Sequence, residues 1–154
     1  MDHAAPTVLL TLPVYLKRHA EPEAKAADRL EGAFGHVLEI PAYGEGEDLF
    51  TTLGSVPAGP GGNVLIVLVL NGRADSPAEV HDANEAARRR LARLGVRETR
   101  LSEEPPITAW DVPGGKLVLI DRAAPGRFLP QGQGIGLARK IGCDFALADR
   151  KSVV

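Results

Sequence analysis

The sequence predicts an α/β fold, because apolar strand-like runs alternate with helical segments along the chain. Three of these runs, at residues 37–40, 64–70 and 116–120, are mostly apolar rather than alternating; 64–70 is apolar throughout, and the other two include Glu39 and Lys116. Continuous runs of this length suit strands that are buried on both faces of a parallel sheet. The order strand, helix, strand, helix, strand, helix implies right-handed crossovers. We therefore expect a Rossmann-like three-layer sandwich with a mostly parallel sheet.

Each predicted strand ends at a residue that interrupts a sheet. The first ends at Pro41, the second at Asn71-Gly72 and the third at Asp121. A helix over residues 47–56 follows the first strand and places Leu49, Leu53 and Val56 on one side. The carboxyl ends of parallel strands meet at one edge of a sheet, where ligands bind in this fold class.

Two further helices follow the second and third strands. Ser76-Pro77-Ala78-Glu79 predicts a helix start with a serine cap, proline at the first position and a capping box. An apolar stripe then comprises Val80, Ala83, Ala87, Leu91 and Leu94, and Arg88–Arg90 is expected to form a solvated face. The last helix, over residues 134–148, is expected to bury Leu137 or Ala138, Ile141 and Phe145.

Two regions do not follow the alternating pattern. Residues 1–29 contain a possible strand at 8–12 and a polar stretch that suits a helix or an extension. Residues 97–115 are rich in proline, contain Trp110 and are predicted to be a loop insertion or an irregular edge. We expect one domain over residues 1–148, with a core at 36–148 and an extension at 1–35. Residues 149–154 resemble a translated cloning tail, which predicts a truncated reading frame.

Composition excludes several classes of protein. The 154-residue chain has a net charge of −2, which gives no reason to expect nucleic acid or an anionic membrane as a partner. Its single cysteine, Cys143, excludes an internal disulfide and is expected to be a small core residue. No apolar run is long enough for a transmembrane segment, and the N-terminus lacks the basic region of a signal peptide. These features predict a cytoplasmic protein and leave its oligomeric state open.

Three segments lie where a ligand would bind. Tyr43 offers a ring on which a base could stack, and Glu45 could accept hydrogen bonds from a ribose. Asn71 could contact a base edge, and residues 130–142 place alternating glycines before a basic helix start, which suits a phosphate. Each segment also has an ordinary structural explanation, as a strand-ending turn, an Asn-Gly turn or a flexible loop beside a surface helix. A dinucleotide fingerprint is excluded, because Pro41-Ala42-Tyr43 stands where its glycines would be.

Together the three segments resemble the start of a family-2-like glycosyltransferase of the GT-A fold. Residues 40–45, Ile-Pro-Ala-Tyr-Gly-Glu, resemble the Ile-Pro-Ala-Tyr-Asn-Glu opening of that family. Residues 64–70 followed by Asn71 resemble its second strand, and residues 134–142 resemble its Gly-x-x-x-Ala-Arg-Asn-x-Gly helix start. Order and spacing agree over about residues 37–148. Gly44, Asn71 and Lys140 differ from the residues usual in the family.

The resemblance implies a partial GT-A domain that binds a UDP- or GDP-linked nucleotide sugar. The nucleotide-binding residues that it implies are Pro41, Ala42, Tyr43, Glu45, Asn71, Gly134, Gly136, Arg139 and Lys140. The family holds Mg²⁺ or Mn²⁺ through an Asp-x-Asp motif after this helix and has a later catalytic carboxylate. The chain contains neither, so the resemblance implies binding without turnover and assigns no catalytic residue or metal ligand. The alternative is a non-catalytic α/β module that binds a phosphorylated ligand or a protein partner.

Overall fold

The described strands form one mixed sheet in the order β1–β2–β5–β4–β3. The computed structural model describes residues 14–57 and 63–149. The strands are β1 (His36–Ala42), β2 (Val64–Asn71), β3 (Val96–Glu103), β4 (Pro106–Val112) and β5 (Gly115–Arg122). The α-helices that position the site are α1 (Glu47–Gly54), α2 (Ala78–Leu94) and α3 (Ile135–Ala148), and Pro22–Arg29 forms a 3₁₀ helix.

The three predicted strands are confirmed, but the sheet is not mostly parallel. β2 pairs in parallel with β1 and with β5, and all eight of its residues are buried, which explains its continuous apolar sequence. β4 is antiparallel to β5 and β3 is antiparallel to β4. Half of the pairings between described strands are therefore antiparallel.

The antiparallel half comes from the region that was predicted to be a loop insertion or an irregular edge. Residues 97–115 contain most of β3, all of β4 and the start of β5. Pro105 lies at the turn between β3 and β4, Pro106 begins β4, and Pro113 lies at the turn between β4 and β5, so the prolines bound strands instead of interrupting them. Trp110 lies in β4, is 4% exposed and donates a hydrogen bond from Nε1 to Glu98 Oε1 at 3.1 Å. The loop-insertion alternative is therefore wrong, whereas the irregular-edge alternative agrees with β3, which lies at the edge of the sheet and pairs with β4 with shifts in register.

Helices cover both faces of the sheet and form three layers. On one face, α1 and α2 pack through Leu49, Ala87 and Leu91 against the side chains of alternate residues in β2 and β5. On the other face, α3 and the 3₁₀ helix pack against the intervening side chains, with Phe145 and Ile141 fully buried. The three-layer arrangement expected from the sequence is thus observed, around a mixed sheet.

Three details of the predicted helices are wrong. Ser76 does not cap α2; its Oγ instead accepts hydrogen bonds from Tyr43 and from the Arg73 amide. Leu94 is 46% exposed, and the buried side of α2 includes the polar Asn84. Cys143 is exposed, because the buried side of α3 is formed by its neighbours in the helix.

The N-terminal extension is attached to α3 through one buried carboxylate. Asp144 is 1% exposed and accepts hydrogen bonds from Tyr15 Oη at 2.6 Å, the Glu21 amide at 2.9 Å and Lys140 Nζ at 2.8 Å. Burial alone would raise the pKa of Asp144, but these hydrogen bonds outweigh it and hold the pKa below its usual value. The possible strand at residues 8–12 and the tail beyond residue 149 lie outside the described residues.

Candidate functional site

Three parts of the chain meet around Arg73 at the carboxyl edge of the parallel strands. The Arg73 guanidinium carbon lies 5.8 Å from the ring centroid of Tyr43, in the loop after β1. A Cβ added to Gly134, at the end of the glycine-rich loop, would lie 3.7 Å from Arg73 Nη1. Arg73 itself follows β2 by two residues. The structure therefore brings the three predicted segments together, with an arginine between them.

The Arg73 side chain retains hydrogen-bonding capacity. Its Nε lies 3.3 Å from Asp75 Oδ1, an ion pair without hydrogen-bond geometry. Nε is buried and has no hydrogen-bond partner among the described residues, and the side chain as a whole is 33% exposed. A guanidinium presents five N–H donors in a planar fork, which matches the oxygens of a carboxylate or phosphate. This arginine can therefore receive an anion.

Two buried asparagines fix the backbone on which the site is built. Asn71 Nδ2 donates to the Ala42 carbonyl at 2.7 Å, and Asn84 Nδ2 donates to the Asn71 carbonyl at 3.0 Å. Asn84 Oδ1 accepts from the Gly44 amide at 3.0 Å, where Gly44 has a φ of 61°. Asn71 is 2% exposed. The Asn71 side chain thus joins the ends of β1 and β2, and its amide group is not exposed for contact with a base edge.

The loop after β1 places its predicted residues in different environments. Ala42 is fully buried, Pro41 and Tyr43 are half-buried, and Glu45 is exposed. Ser76 Oγ accepts two hydrogen bonds, one from Tyr43 Oη at 2.9 Å and one from the Arg73 amide at 3.1 Å. The tyrosine ring and the arginine are thus positioned by a common serine.

The two basic residues of the glycine-rich segment, Arg139 and Lys140, have different surroundings. Gly134 is the N-cap residue of α3, and Gly136 lies in its first turn with nothing within 4 Å of an added Cβ. No side chain caps this helix start and no acidic residue occupies its first turn. Arg139 is exposed in the next turn. Lys140 points instead into the N-terminal extension, with Nζ 2.6 Å from the His19 carbonyl oxygen and 2.9 Å from Glu21 Oε2.

Arg139 faces a partly buried carboxyl group on β1. Burial raises the pKa of Glu39 to about 7, and the charge of Arg139 opposes that rise. Glu39 Oε1 is buried without a hydrogen-bond partner in the described part of the chain. A Cβ added to Gly142 would lie 2.5 Å from the same oxygen, so only glycine leaves room for this side chain. Glu39 thus lies against α3 at the outer edge of the sheet.

One predicted surface residue is part of a buried ion pair. Arg88 Nε lies 2.6 Å from Asp121 Oδ2 and Nη2 lies 3.1 Å from Oδ1, and Asp121 is 7% exposed. The hydrogen bond to Asp121 raises the pKa of Arg88 and outweighs the opposing effect of burial. The expected solvated face is therefore wrong for Arg88. The bidentate pair joins α2 to the end of β5.

Arg73, Ser76 and Asn84 organise this site, and none of them was predicted from the sequence as a site residue. Arg73 directly follows Asn71-Gly72, so its position at a strand end was an available signal. Ser76 and Asn84 gave no such signal, because a serine before proline and a polar residue in a helix usually have local roles.

Within residues 14–57 and 63–149, no three His, Cys, Asp or Glu side chains are grouped so as to hold a metal ion. The same residues include no helix with the length and apolar character needed to cross a bilayer. In comparisons with known proteins, no family model, curated protein or solved structure matches this chain.

Proposed function

We propose that the chain is the nucleotide-diphosphate-sugar-binding part of a glycosyltransferase that transfers a sugar to an acceptor. The observation that carries the proposal is the meeting of the loop after β1, the end of β2 and the glycine-rich loop around Arg73. These are the segments on which the resemblance rests. Their meeting point lies at the carboxyl edge of the parallel strands, where ligands of α/β sheets bind.

The chemistry of these side chains suits a nucleoside diphosphate. Tyr43 has its hydroxyl fixed by Ser76, so its ring can serve as a rigid stacking surface for a base. Arg73 has a partly exposed guanidinium that matches a phosphate, and the uncapped start of α3 adds backbone N–H groups and a favourable dipole. Glu45 is exposed beside this loop and can accept hydrogen bonds from ribose hydroxyls.

In this proposal, Arg73 takes the phosphate-binding role that the sequence suggested for the glycine-rich loop and the basic start of α3. Lys140 already contacts three oxygen atoms of the N-terminal extension and α3, and these contacts hold its pKa above the usual value despite its desolvation. Arg139 is exposed one turn further along α3 and contributes a longer-range positive charge. The proposal is thus UDP- or GDP-sugar binding, with Arg73 as its principal anion contact.

Calorimetric titration of the whole chain with UDP, GDP and their sugar conjugates tests this proposal. Arg73→Ala is expected to weaken nucleotide binding by about 10- to 100-fold, the usual effect of losing hydrogen bonds to a charged group. Arg89→Ala is the matched control, because Arg89 has a side chain that is 69% exposed on the outer part of α2. Arg139→Ala tests the remaining basic residue of the glycine-rich segment. Absence of binding to every nucleotide, or equal affinity after Arg73→Ala, would contradict the proposal.

A non-catalytic module that binds a phosphorylated ligand is the second candidate. The partly exposed guanidinium of Arg73 favours it equally, because it recognises a phosphate whatever it is attached to. The same titration separates the candidates. Equal affinity for a sugar phosphate without a nucleoside and for UDP supports the module, whereas preference for the nucleotide supports the glycosyltransferase.

A further inference from the structure

A small, open cavity with both polar and apolar lining lies beyond β5 at the same edge of the sheet. It has a volume of about 220 Å³ and lies between the 3₁₀ helix, the turn joining β3 to β4 and the loop after β5. The side chains that give it its chemistry are Pro22, Glu23, Glu104, Pro105, Arg122 and Arg127. None of these residues contributes to the cluster around Arg73. The cavity is therefore a separate candidate site.

Glu23 is a buried carboxylate with one oxygen unused. The residue is 1% exposed, and its Oε2 accepts a hydrogen bond from Arg122 Nη1 at 2.7 Å. Its Oε1 is buried and has no donor within reach among the residues that the structure describes. A buried acceptor without a donor is unfavourable by about 1–3 kcal/mol. An incoming hydroxyl or N–H group that reached Oε1 would therefore be bound favourably.

The charges around the cavity balance. Arg122 pairs with Glu23, and Arg127 Nη1 pairs with Glu104 Oε1 at 2.5 Å. Arg122 also donates from Nε to the Arg127 carbonyl at 2.6 Å, which holds the two arginines together. Two acids and two arginines leave no net charge. The attraction of a charged ligand to one pair of side chains would therefore be offset by repulsion from the other pair. The lining favours a neutral ligand with both donors and acceptors.

We propose that this cavity binds one neutral sugar ring. A ring hydroxyl donates to Glu23 Oε1, and a neighbouring hydroxyl accepts from the guanidinium of Arg122 or Arg127. Pro22 and Pro105 supply apolar walls for the C–H face of the ring. The volume is below the roughly 300 Å³ at which pockets for larger ligands begin, so the site takes a single ring. Binding does not depend on the proposed function; only the role of this ring as an acceptor sugar rests on it.

Protein-observed NMR on the ¹⁵N-labelled whole chain tests the proposal. Glucose, galactose and mannose are titrated separately, without nucleotide. The amide signals of Gly126 and Arg127 are expected to shift saturably with at least one hexose, while those of Gly134 and Ile135 stay in place. UDP is expected to produce the opposite pattern. Failure of one site is thereby distinguishable from failure of the other.

Two variants and a control make the test specific. Glu23→Gln replaces one carboxylate oxygen by an NH₂ group and is expected to weaken hexose binding about tenfold or more. Arg127→Met changes a partly exposed residue and leaves the Glu23–Arg122 pair in place, so it remains informative if Glu23→Gln does not fold. It is expected to weaken binding severalfold. Arg89→Ala, on the other face of the sheet, is expected to bind hexose as the unchanged protein does.

Three results would overturn the proposal. The first is the absence of a saturable shift at Gly126 and Arg127 with any of the three hexoses. The second is unchanged hexose affinity in Arg127→Met and, where it folds, in Glu23→Gln. The third is a site that responds to methylguanidinium or inorganic phosphate as strongly as to a hexose, which would identify a binding site for an ion.

Discussion

Glu39→Gln is expected to stabilise the protein above neutral pH and to have little effect near pH 4.5. In the folded protein, burial raises the pKa of Glu39 from its ordinary 4.5 to about 7. The folded state therefore binds this proton more tightly than the unfolded state does. The contribution of Glu39 to stability is therefore fully present below pH 4.5, falls as the pH rises through the window from 4.5 to 7, and is lost above it. Glutamine does not ionise, so the variant lacks this loss.

The size of the effect follows from the rise in pKa and from exposure. A rise from 4.5 to about 7 corresponds to an upper limit of about 3 kcal/mol. The side chain is only partly buried, and solvent screening reduces the expected difference to about 1–2 kcal/mol at pH 8. Arg139 opposes the rise in pKa. At pH 8, Arg139→Gln is therefore expected to lower the free energy of unfolding of the protein that contains Glu39. The same substitution is expected to have a smaller effect in the Glu39→Gln variant.

Urea unfolding at pH 5, 6, 7 and 8 measures the difference between the two proteins. Subtracting the free energy of unfolding of one protein from that of the other cancels every contribution that is the same in both. The difference is expected to grow from pH 5 to pH 8 in favour of Glu39→Gln. A difference that stays constant across this range would refute the argument that Glu39 is held protonated by burial.

Two further predictions concern the frame of the fold. Gly115→Ala is expected to lower the free energy of unfolding by at least about 2 kcal/mol, because the residue has a φ of 144° and an added Cβ would lie 2.2 Å from the Val64 carbonyl oxygen. Gly54→Ala, where nothing lies within 4 Å of the added Cβ, is the control and should change stability by less than about 1 kcal/mol in urea unfolding; equal losses would contradict the assignment. Asp144→Asn is expected to cost about 2–4 kcal/mol at pH 7, because it weakens the buried contacts to Lys140 and the N-terminal extension. Since the pKa of Asp144 is lowered in the folded protein, its contribution is lost as the pH falls below 3.8, so the two proteins should converge in thermal unfolding under acidic conditions; a deficit independent of pH would argue against an ionic role.

The parts of the fold that depend on local pattern were predictable. Runs of mostly apolar residues identified β1, β2 and β5, and helical periodicity identified the buried side of α3. The β3–β4 hairpin was predicted only as a loop insertion or an irregular edge, because β3 is mostly polar and exposed and prolines bound β4. A mixed sheet therefore replaced the expected parallel one. The position of each strand could be predicted from its own residues. The antiparallel pairing of β3, β4 and β5 could not, because it depends on the hairpin.

The candidate site was predictable at the level of segments and less so at the level of side chains. Strand ends in a parallel sheet must share an edge, so the meeting of the loop after β1 with the end of β2 followed from topology. The partners of Lys140 did not, because two of them, His19 and Glu21, lie 121 and 119 residues away in sequence. No pattern within a helix indicates which of two adjacent basic residues turns toward a distant segment.

The Asp144 network also has a consequence for the order in which the chain can acquire its structure. Its contacts with Tyr15 and Glu21 span 129 and 123 residues, so the N-terminal extension cannot dock until α3 has been synthesised. Until then, one face of the sheet and the apolar side of the 3₁₀ helix lack the cover that α3 provides. Contacts of such long sequence separation slow folding and prolong the exposure of apolar surface. A nascent chain is thus most vulnerable to aggregation immediately before α3 emerges from the ribosome.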